Sequence, residues 1–210
     1  CVEIAIDYGV QAVVLAGDVV DTTEQILSSV GPFEDGAQRL HDNEISVLAV
    51  AGNHDKNALD RLLGHQAKFH YLGRAGQWES CCLGEVDGVP VNVVGWSFPQ
   101  EKVNTSPLTD LEEDVLSEGI SLGVVHCDRG KVSSDYAPVK ASEFNTGTPG
   151  HLDAWFLGHI HQPDALQGPR PVGYLGSVTT LRRKDTGVRG PWLVTVNGKS
   201  DVECRCIPIN

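Results

Sequence analysis

The chain has 210 residues, 40% of them hydrophobic and 21% charged, a composition typical of a folded globular domain. Its formal net charge of -12 disfavours extended contact with a nucleic-acid backbone and confines any such contact to a local patch. No apolar run approaches the roughly 20 residues that span a bilayer, and no signal peptide is recognisable, so we expect a cytoplasmic protein with no membrane partner.

The first half of the chain predicts a strand, a helix and a second, parallel strand. A short helix over Val2–Tyr8 leads to the apolar run Ala12–Ala16, and a second apolar run covers Ile45–Val50. Between them, 32–43 carries apolar residues with helical spacing. A crossover of this kind makes the two strands parallel, so their carboxyl ends lie on the same edge.

The second half predicts antiparallel pairing first and further strands afterwards. Asp87-Gly88 joins two strand-like runs and is a strong hairpin signal. An acidic helix is expected over Leu108–Glu118, before apolar runs at Ile120–Val125 and Trp155–Leu157. Residues 127–150 form a long polar stretch, a kind of segment that is often functional. Asn197-Gly198 predicts a closing two-residue hairpin.

Four of the apolar runs end in the same way, with polar residues that can bind metal ions. The residues that follow them are Gly17-Asp18 with Asp21, Gly52-Asn53-His54-Asp55, His126, and Gly158-His159-Ile160-His161. Each set alone could be structural: Asn53 or Asp55 could cap a helix over 58–63, and Asp21 could cap the turn that follows it. Because the carboxyl ends of parallel strands share one edge, we expect the four sets to converge on one site.

These four blocks, in this order, resemble the signature blocks of the calcineurin-like metallophosphoesterases. The resemblance implies a four-layer α/β/β/α sandwich of two mixed sheets, with two divalent metal ions at the strand ends. It implies that the ions activate a bridging hydroxide for attack on a phosphoester. Manganese is the expected metal, with iron or zinc as alternatives.

The same resemblance implies a role for each residue. Asp18 would bridge the two ions; Asn53, His126 and His159 would complete one site, and His161 would belong to the other. His54 would act at the leaving-group oxygen, with Asp21 orienting its imidazole. Arg182 and Arg183 could contact substrate phosphates, although a charge run of this kind is usually a solvated face.

Within that superfamily, several segments are similar to the SbcD-like DNA repair exonucleases. They are Tyr136-Ala137-Pro138, 152–161, Tyr174-Leu175-Gly176-Ser177 and 190–194. The resemblance implies a phosphodiester substrate, with DNA as one candidate. No part of 1–210 resembles the capping domain or the segment that binds a partner ATPase in that family, so we expect no ATPase partner for residues 1–210.

One block of the family has no counterpart. The Asp-x-His block should precede Gly17 by a strand and a helix, and residues 1–16 contain no histidine. We expect one domain over 1–210 that lacks its first strand and first metal-binding block, and a natural polypeptide that supplies both upstream. Three functions stay open: a nuclease-like phosphodiesterase, a phosphatase or phosphodiesterase for small nucleotides or other phosphate esters, and a metal-poor binding scaffold.

Overall fold

A computed structural model describes residues 1–20, 26–59, 69–144, 152–180, 186–199 and 201–209. Within them lie two α-helices, α1 (Val2–Tyr8) and α2 (Ile26–Asp42). The strands, in chain order, are β1 (Ala12–Ala16), β2 (Ser46–Val50), β3 (Phe69–Tyr71), β4 (Trp78–Val86), β5 (Val89–Trp96), β6 (Ile120–His126), β7 (Asp128–Arg129), β8 (Pro138–Val139), β9 (Ala154–Gly158), β10 (Val172–Tyr174), β11 (Trp192–Gly198) and β12 (Asp201–Cys206). No helix in these ranges is long and apolar enough to cross a membrane.

The first sheet has the strand order β1-β2-β3, and its described strands are all parallel. One face packs on α1 and α2, where Ala5, Leu40 and Val47 are buried together. Helix α2 begins at Ile26, six residues before the predicted helical segment 32–43, so Pro32 lies inside the helix. Its neighbours Val30 and Phe33 pack on buried Val20 and Ala58, and this burial offsets the hydrogen bond that a proline removes from a helix.

The second sheet has the order β10-β9-β6-β5-β4. It is mixed: β4 and β5 form an antiparallel hairpin, and the other pairs are parallel. The hairpin turns at Asp87 and Gly88, whose φ angles of 52° and 76° give the left-handed geometry predicted there. The prediction of two mixed sheets therefore holds for this sheet, while the described part of the first sheet is parallel throughout.

The two sheets pack face to face, and side-chain alternation decides which core each residue joins. Leu122 and Val124 of β6 lie in the core between the sheets, together with Leu48 and Val50 of β2. Val125 lies on the opposite face, in a second core centred on Trp155. His126 follows Val124 on the face that looks toward the first sheet.

The outer face of the second sheet is covered by loops and 3-10 turns. The acidic helix predicted over 108–118 is wrong: Pro107–Asp110 and Glu113–Val115 form separate 3-10 turns. Side chains three residues apart align in a 3-10 turn, and Leu108 and Leu111 are both buried. Acidic residues near the end of the segment would also oppose an α-helix dipole. The four-layer order is kept, with this outer layer built from short turns in the described residues.

At the end of the described chain, β11 and β12 form the expected antiparallel hairpin. Its turn is displaced from the predicted position, because Gly198 pairs with Asp201 and the register shifts between Val196 and Gly198. Asn197-Gly198 therefore belongs to an irregular strand end and does not form the two-residue turn itself.

Candidate metal centre

The centre lies where the carboxyl ends of strands from both sheets meet. β1 and β2 pair in parallel, with Ala16 opposite Val50, and β6 and β9 pair with His126 opposite Gly158. The His126 Nδ1 atom lies 3.0 Å from the Ala16 carbonyl oxygen and so links the two sheets. The sequence predicted this convergence, and the two-sheet architecture produces it.

Glycines allow the strand ends to approach this closely. A Cβ atom at Gly158 would lie 1.9 Å from the Ala16 carbonyl oxygen and 2.7 Å from His126 Nδ1. A Cβ atom at Gly52 would lie 2.1 Å from the Asp18 Oδ1 atom. The glycine that ends each strand is therefore required by the close approach of the neighbouring backbone and ligand-type side chains.

Asp18, His126 and His159 form a cluster whose candidate ligand atoms all lie within 4.8 Å of one another. The His126 Nε2 atom is 3.2 Å from Asp18 Oδ2, and the His126 side chain is fully buried. Three such groups, drawn from β1, β6 and β9, match the oxygen and nitrogen donors that divalent transition metals accept.

The electrostatics of the cluster suit cation binding. Burial acts to raise the pKa of Asp18, but the His126 imidazole and the His54 amide act against it, and the net pKa is lowered. Burial and the neighbouring His126 lower the pKa of His159. Asp18 is therefore an anion and His159 a neutral imidazole near pH 7, the forms that bind metals.

Two buried atoms at the centre have no hydrogen-bond partner. They are His126 Nε2 and the side-chain oxygen of Asn53. Because a carbonyl oxygen only accepts, His126 Nδ1 carries a proton toward Ala16. A buried ring nitrogen and a buried amide oxygen without hydrogen bonds are costly unless a cation lies beside them, so these residues fit a divalent metal.

The loop after β2 is held against the cluster by its own polar groups. The His54 backbone N–H donates to Asp18 Oδ1 over 3.1 Å. The buried Asp55 carboxylate accepts from the Val19 N–H at 2.7 Å and from the Gly52 N–H at 2.8 Å. Asp55 therefore braces the two loops that carry Asp18 and Asn53, and the His54 side chain lies at the exposed surface beside them.

The sequence pattern of the family described as calcineurin-like phosphoesterase matches residues 2–163. The chain belongs to this family. It is also similar to the "Uncharacterized metallophosphoesterase YhaO" of Bacillus subtilis (strain 168), with 25% identity over 207 residues. The match covers 96% of this chain and 50% of the relative, so the chain spans about half the length of that curated protein. Residues 2–163 therefore form a calcineurin-like phosphoesterase domain.

The other predicted site residues lie outside the cluster of Asp18, His126 and His159 or outside the described residues. His161 influences the pKa of His159, but it lies outside the cluster of three within the described residues. Its carbonyl oxygen accepts from the Ser177 N–H at 2.9 Å, and Arg189 also donates to it. Asp21, Arg182 and Arg183 lie outside the described residues.

Two residues beside the centre were missed by the sequence analysis. Asp128 Oδ1 lies 3.5 Å from His159 Nε2, and the ring centroid of Tyr136 lies 5.1 Å from that of His159. The position of Asp128, two residues after His126, was a usable signal. Cys127, the residue after His126, is buried in the outer core with Trp155, and burial raises the pKa of its thiol.

We expect Asp55→Ala to destabilise the protein and to weaken the centre. The substitution leaves the Val19 and Gly52 N–H groups buried without acceptors, and each such loss costs about 1 to 3 kcal/mol. The free energy of unfolding, measured in urea, should therefore fall by about 2 to 6 kcal/mol for the pair. Asp7→Ala, at an exposed position of α1, is the control. Equal stability of Asp55→Ala and the wild type would show that Asp55 is not a brace.

Proposed function

We propose that this phosphoesterase hydrolyses phosphodiesters at a centre of two divalent ions. Asp18, Asn53, His126 and His159 would hold one ion, and Asp18 with His161 would contribute to the other. The proposal rests above all on the buried His126 Nε2 atom, which faces the Asp18 carboxylate without a hydrogen bond. Manganese is our first choice of metal. Iron and zinc are the alternatives, because oxygen and imidazole donors with one amide suit all three metals.

Divalent ions bound here would polarise the phosphoryl group and lower the pKa of water. The residues of the chain supply the rest. Asp18 is anchored through its contact with the His54 N–H, which places the His54 side chain next to the cluster. An exposed imidazole at this point can reach the leaving-group oxygen of a substrate and donate a proton to it. Asp21 is proposed to orient that imidazole.

The nature of the ester is inferred from the SbcD-like segments of the sequence and from charge. With a net charge of -12, the protein cannot attract DNA over its whole surface. We propose that a short stretch of phosphodiester backbone binds locally, with Arg182 and Arg183 as the positive contacts. DNA is the candidate polymer, and small nucleotides are the competing substrate class.

The substrate class is tested with purified protein loaded with Mn²⁺, Fe²⁺ or Zn²⁺. Hydrolysis of bis(p-nitrophenyl) phosphate is compared with that of p-nitrophenyl phosphate, and then with release of nucleotides from single-stranded and duplex DNA. The proposal expects faster cleavage of the diester than of the monoester. Faster cleavage of the monoester would favour a phosphatase, and activity on small diesters alone would favour the small-nucleotide alternative.

Metal binding itself is tested by thermal unfolding. A ligand present at 100 times its dissociation constant stabilises the folded state by about 2.7 kcal/mol, so Mn²⁺ should raise the melting temperature of the wild type. His126→Gln should lose this shift, because the buried nitrogen ligand is removed. His70→Gln, at an exposed position of β3, should keep it. A wild-type protein with no metal-dependent shift would favour the scaffold alternative.

A further inference from the structure

We propose that Asp128 is a positioning residue that fixes the His159 ring for metal binding. The inference rests on the proposed role of His159 as a ligand and extends it to the polar loop that follows β6. The residues predicted for the strand ends did not include this carboxylate, which lies two positions after His126.

The Asp128 carboxylate is buried and held from two sides. Only 8% of the residue is exposed. Its Oδ1 atom faces His159 Nε2 at 3.5 Å, and its Oδ2 atom accepts a hydrogen bond from the Ser134 hydroxyl. The Asp128 backbone N–H donates to the Tyr136 carbonyl oxygen over 2.9 Å. A carboxylate fixed in this way has one orientation, and that orientation is toward His159.

His159 is a residue that requires such support. Its φ angle of 96° lies in a region that non-glycine residues rarely adopt, and such a conformation costs about 1 to 3 kcal/mol. The ring lies between the rings of His126 and Tyr136, with centroid separations of 5.2 and 5.1 Å. Strained residues persist where their surroundings determine them. Asp128 and Asp18 are the carboxylates that act on His159, and Asp128 is the one that lies beside its Nε2 atom.

The position of the carboxylate also selects the tautomer of the ring. At 3.5 Å the contact is longer than an ordinary hydrogen bond, so its effect is electrostatic. A negative charge beside Nε2 favours the proton on that atom, which leaves the Nδ1 lone pair available to a cation. Carboxylates that pair with the second nitrogen of a histidine ligand orient the ring and increase its basicity.

The loop that carries Asp128 is itself tied to the rest of the domain. The Val103 N–H donates to the Asp135 carbonyl oxygen at 2.8 Å, and the Ala137 N–H donates to the Val103 carbonyl oxygen at 2.7 Å. The Tyr136 N–H donates to the Ser134 hydroxyl oxygen at 3.0 Å. The polar loop is thus an ordered support beneath His159 in its described part, with Asp128 and Tyr136 as its contacts.

The test compares Asp128→Ala, Asp128→Asn and Asp135→Ala with the wild type. Co²⁺ is the probe, because its visible absorption reports ligand geometry and a titration gives its affinity. We expect Asp128→Ala to bind Co²⁺ about 10 to 100 times more weakly, the usual effect of losing such a partner, with an altered spectrum. Asp128→Asn keeps an oxygen that can face Nε2, so its Co²⁺ affinity should lie between those of the wild type and Asp128→Ala. Asp135, in an exposed ion pair with Lys102 of 2.7 Å, is the matched control from the same loop.

Metal-free melting temperatures of all four proteins separate positioning from general stability. Unchanged affinity and spectrum in Asp128→Ala would overturn the inference, and so would a fall in metal-free stability with no change in affinity. If Asp128→Ala does not fold, Asp128→Asn carries the test, and wild-type affinity in that variant with an unchanged spectrum overturns the inference. A wild-type protein that binds no Co²⁺ removes the proposed function together with this inference.

Discussion

Replacing His54 with alanine is expected to lower the turnover of a phosphodiester by about 10² to 10⁴, the usual contribution of a general acid, while metal binding is kept. The reason is geometric: the contact between this residue and Asp18 is made by the His54 backbone N–H, which alanine retains. The measurement is kcat with a phosphodiester whose leaving group is an alkoxide, such as a dinucleotide, together with the metal content of each protein.

His159→Ala is the matched variant. His159 belongs to the cluster with Asp18 and His126, so its loss should reduce metal content and activity together. An aryl phosphodiester with a better leaving group should restore part of the turnover of His54→Ala, because less proton transfer is then needed, and should not help His159→Ala. Equal loss of metal in both variants would show that His54 is a ligand and that the assigned roles are wrong.

Gly158→Ala is expected to cause a large loss of stability by the addition of a single methyl group. The new Cβ atom would lie 1.9 Å from the Ala16 carbonyl oxygen, so β9 and β1 must move apart. Extra methyl groups in packed regions cost about 1 to 3 kcal/mol and occasionally more. Both of the clashing atoms belong to strands, which cannot move easily, so we expect a loss of stability at the upper end of this range. The same movement would separate His126 from Asp18.

The control is Gly198→Ala at the end of β11, where a new Cβ atom would have no neighbour within 4 Å outside the adjacent residues and the backbone is not left-handed. We expect this substitution to change the free energy of unfolding by about 0.5 kcal/mol or less, far less than Gly158→Ala. Urea denaturation with and without Mn²⁺ measures both. A Gly158→Ala protein with wild-type stability and metal affinity would show that the two sheets can separate freely at this point.

The strands and their ends could be predicted from the sequence because both depend on local patterns. Short apolar runs followed by polar, metal-competent residues predicted β1, β2, β6 and β9, and each is a strand at that place. The parallel pairing of β1 with β2 followed from the helix between them. Family membership, implied by the residues after these runs, is confirmed by the match over residues 2–163. The assigned metal and catalytic roles stay predictions.

Tertiary packing decided the secondary structure of segments in which the local sequence pattern favoured one conformation and burial of apolar side chains favoured another. The composition of the segment 107–115 favours a helix. The segment instead forms 3-10 turns, in which Leu108 and Leu111 are buried in the core around Trp155. Helix α2 runs through Pro32, because contacts of Val30 and Phe33 outweigh the local preference for starting there. In both cases burial of apolar surface contributes more than the propensity of a few residues.

The sequence by itself determined which chemical groups stand at the strand ends: Asp18, Asn53, His126 and His159 each follow an apolar run, and a period of two residues sends His126 and Cys127 to opposite faces. Only the tertiary structure decided how these groups meet. The approach of His126 to Ala16 joins two different sheets, and the contact of Asp128 with His159 joins residues 31 positions apart. Such contacts depend on how whole sheets and loops pack, and a local sequence pattern does not determine which distant residues meet.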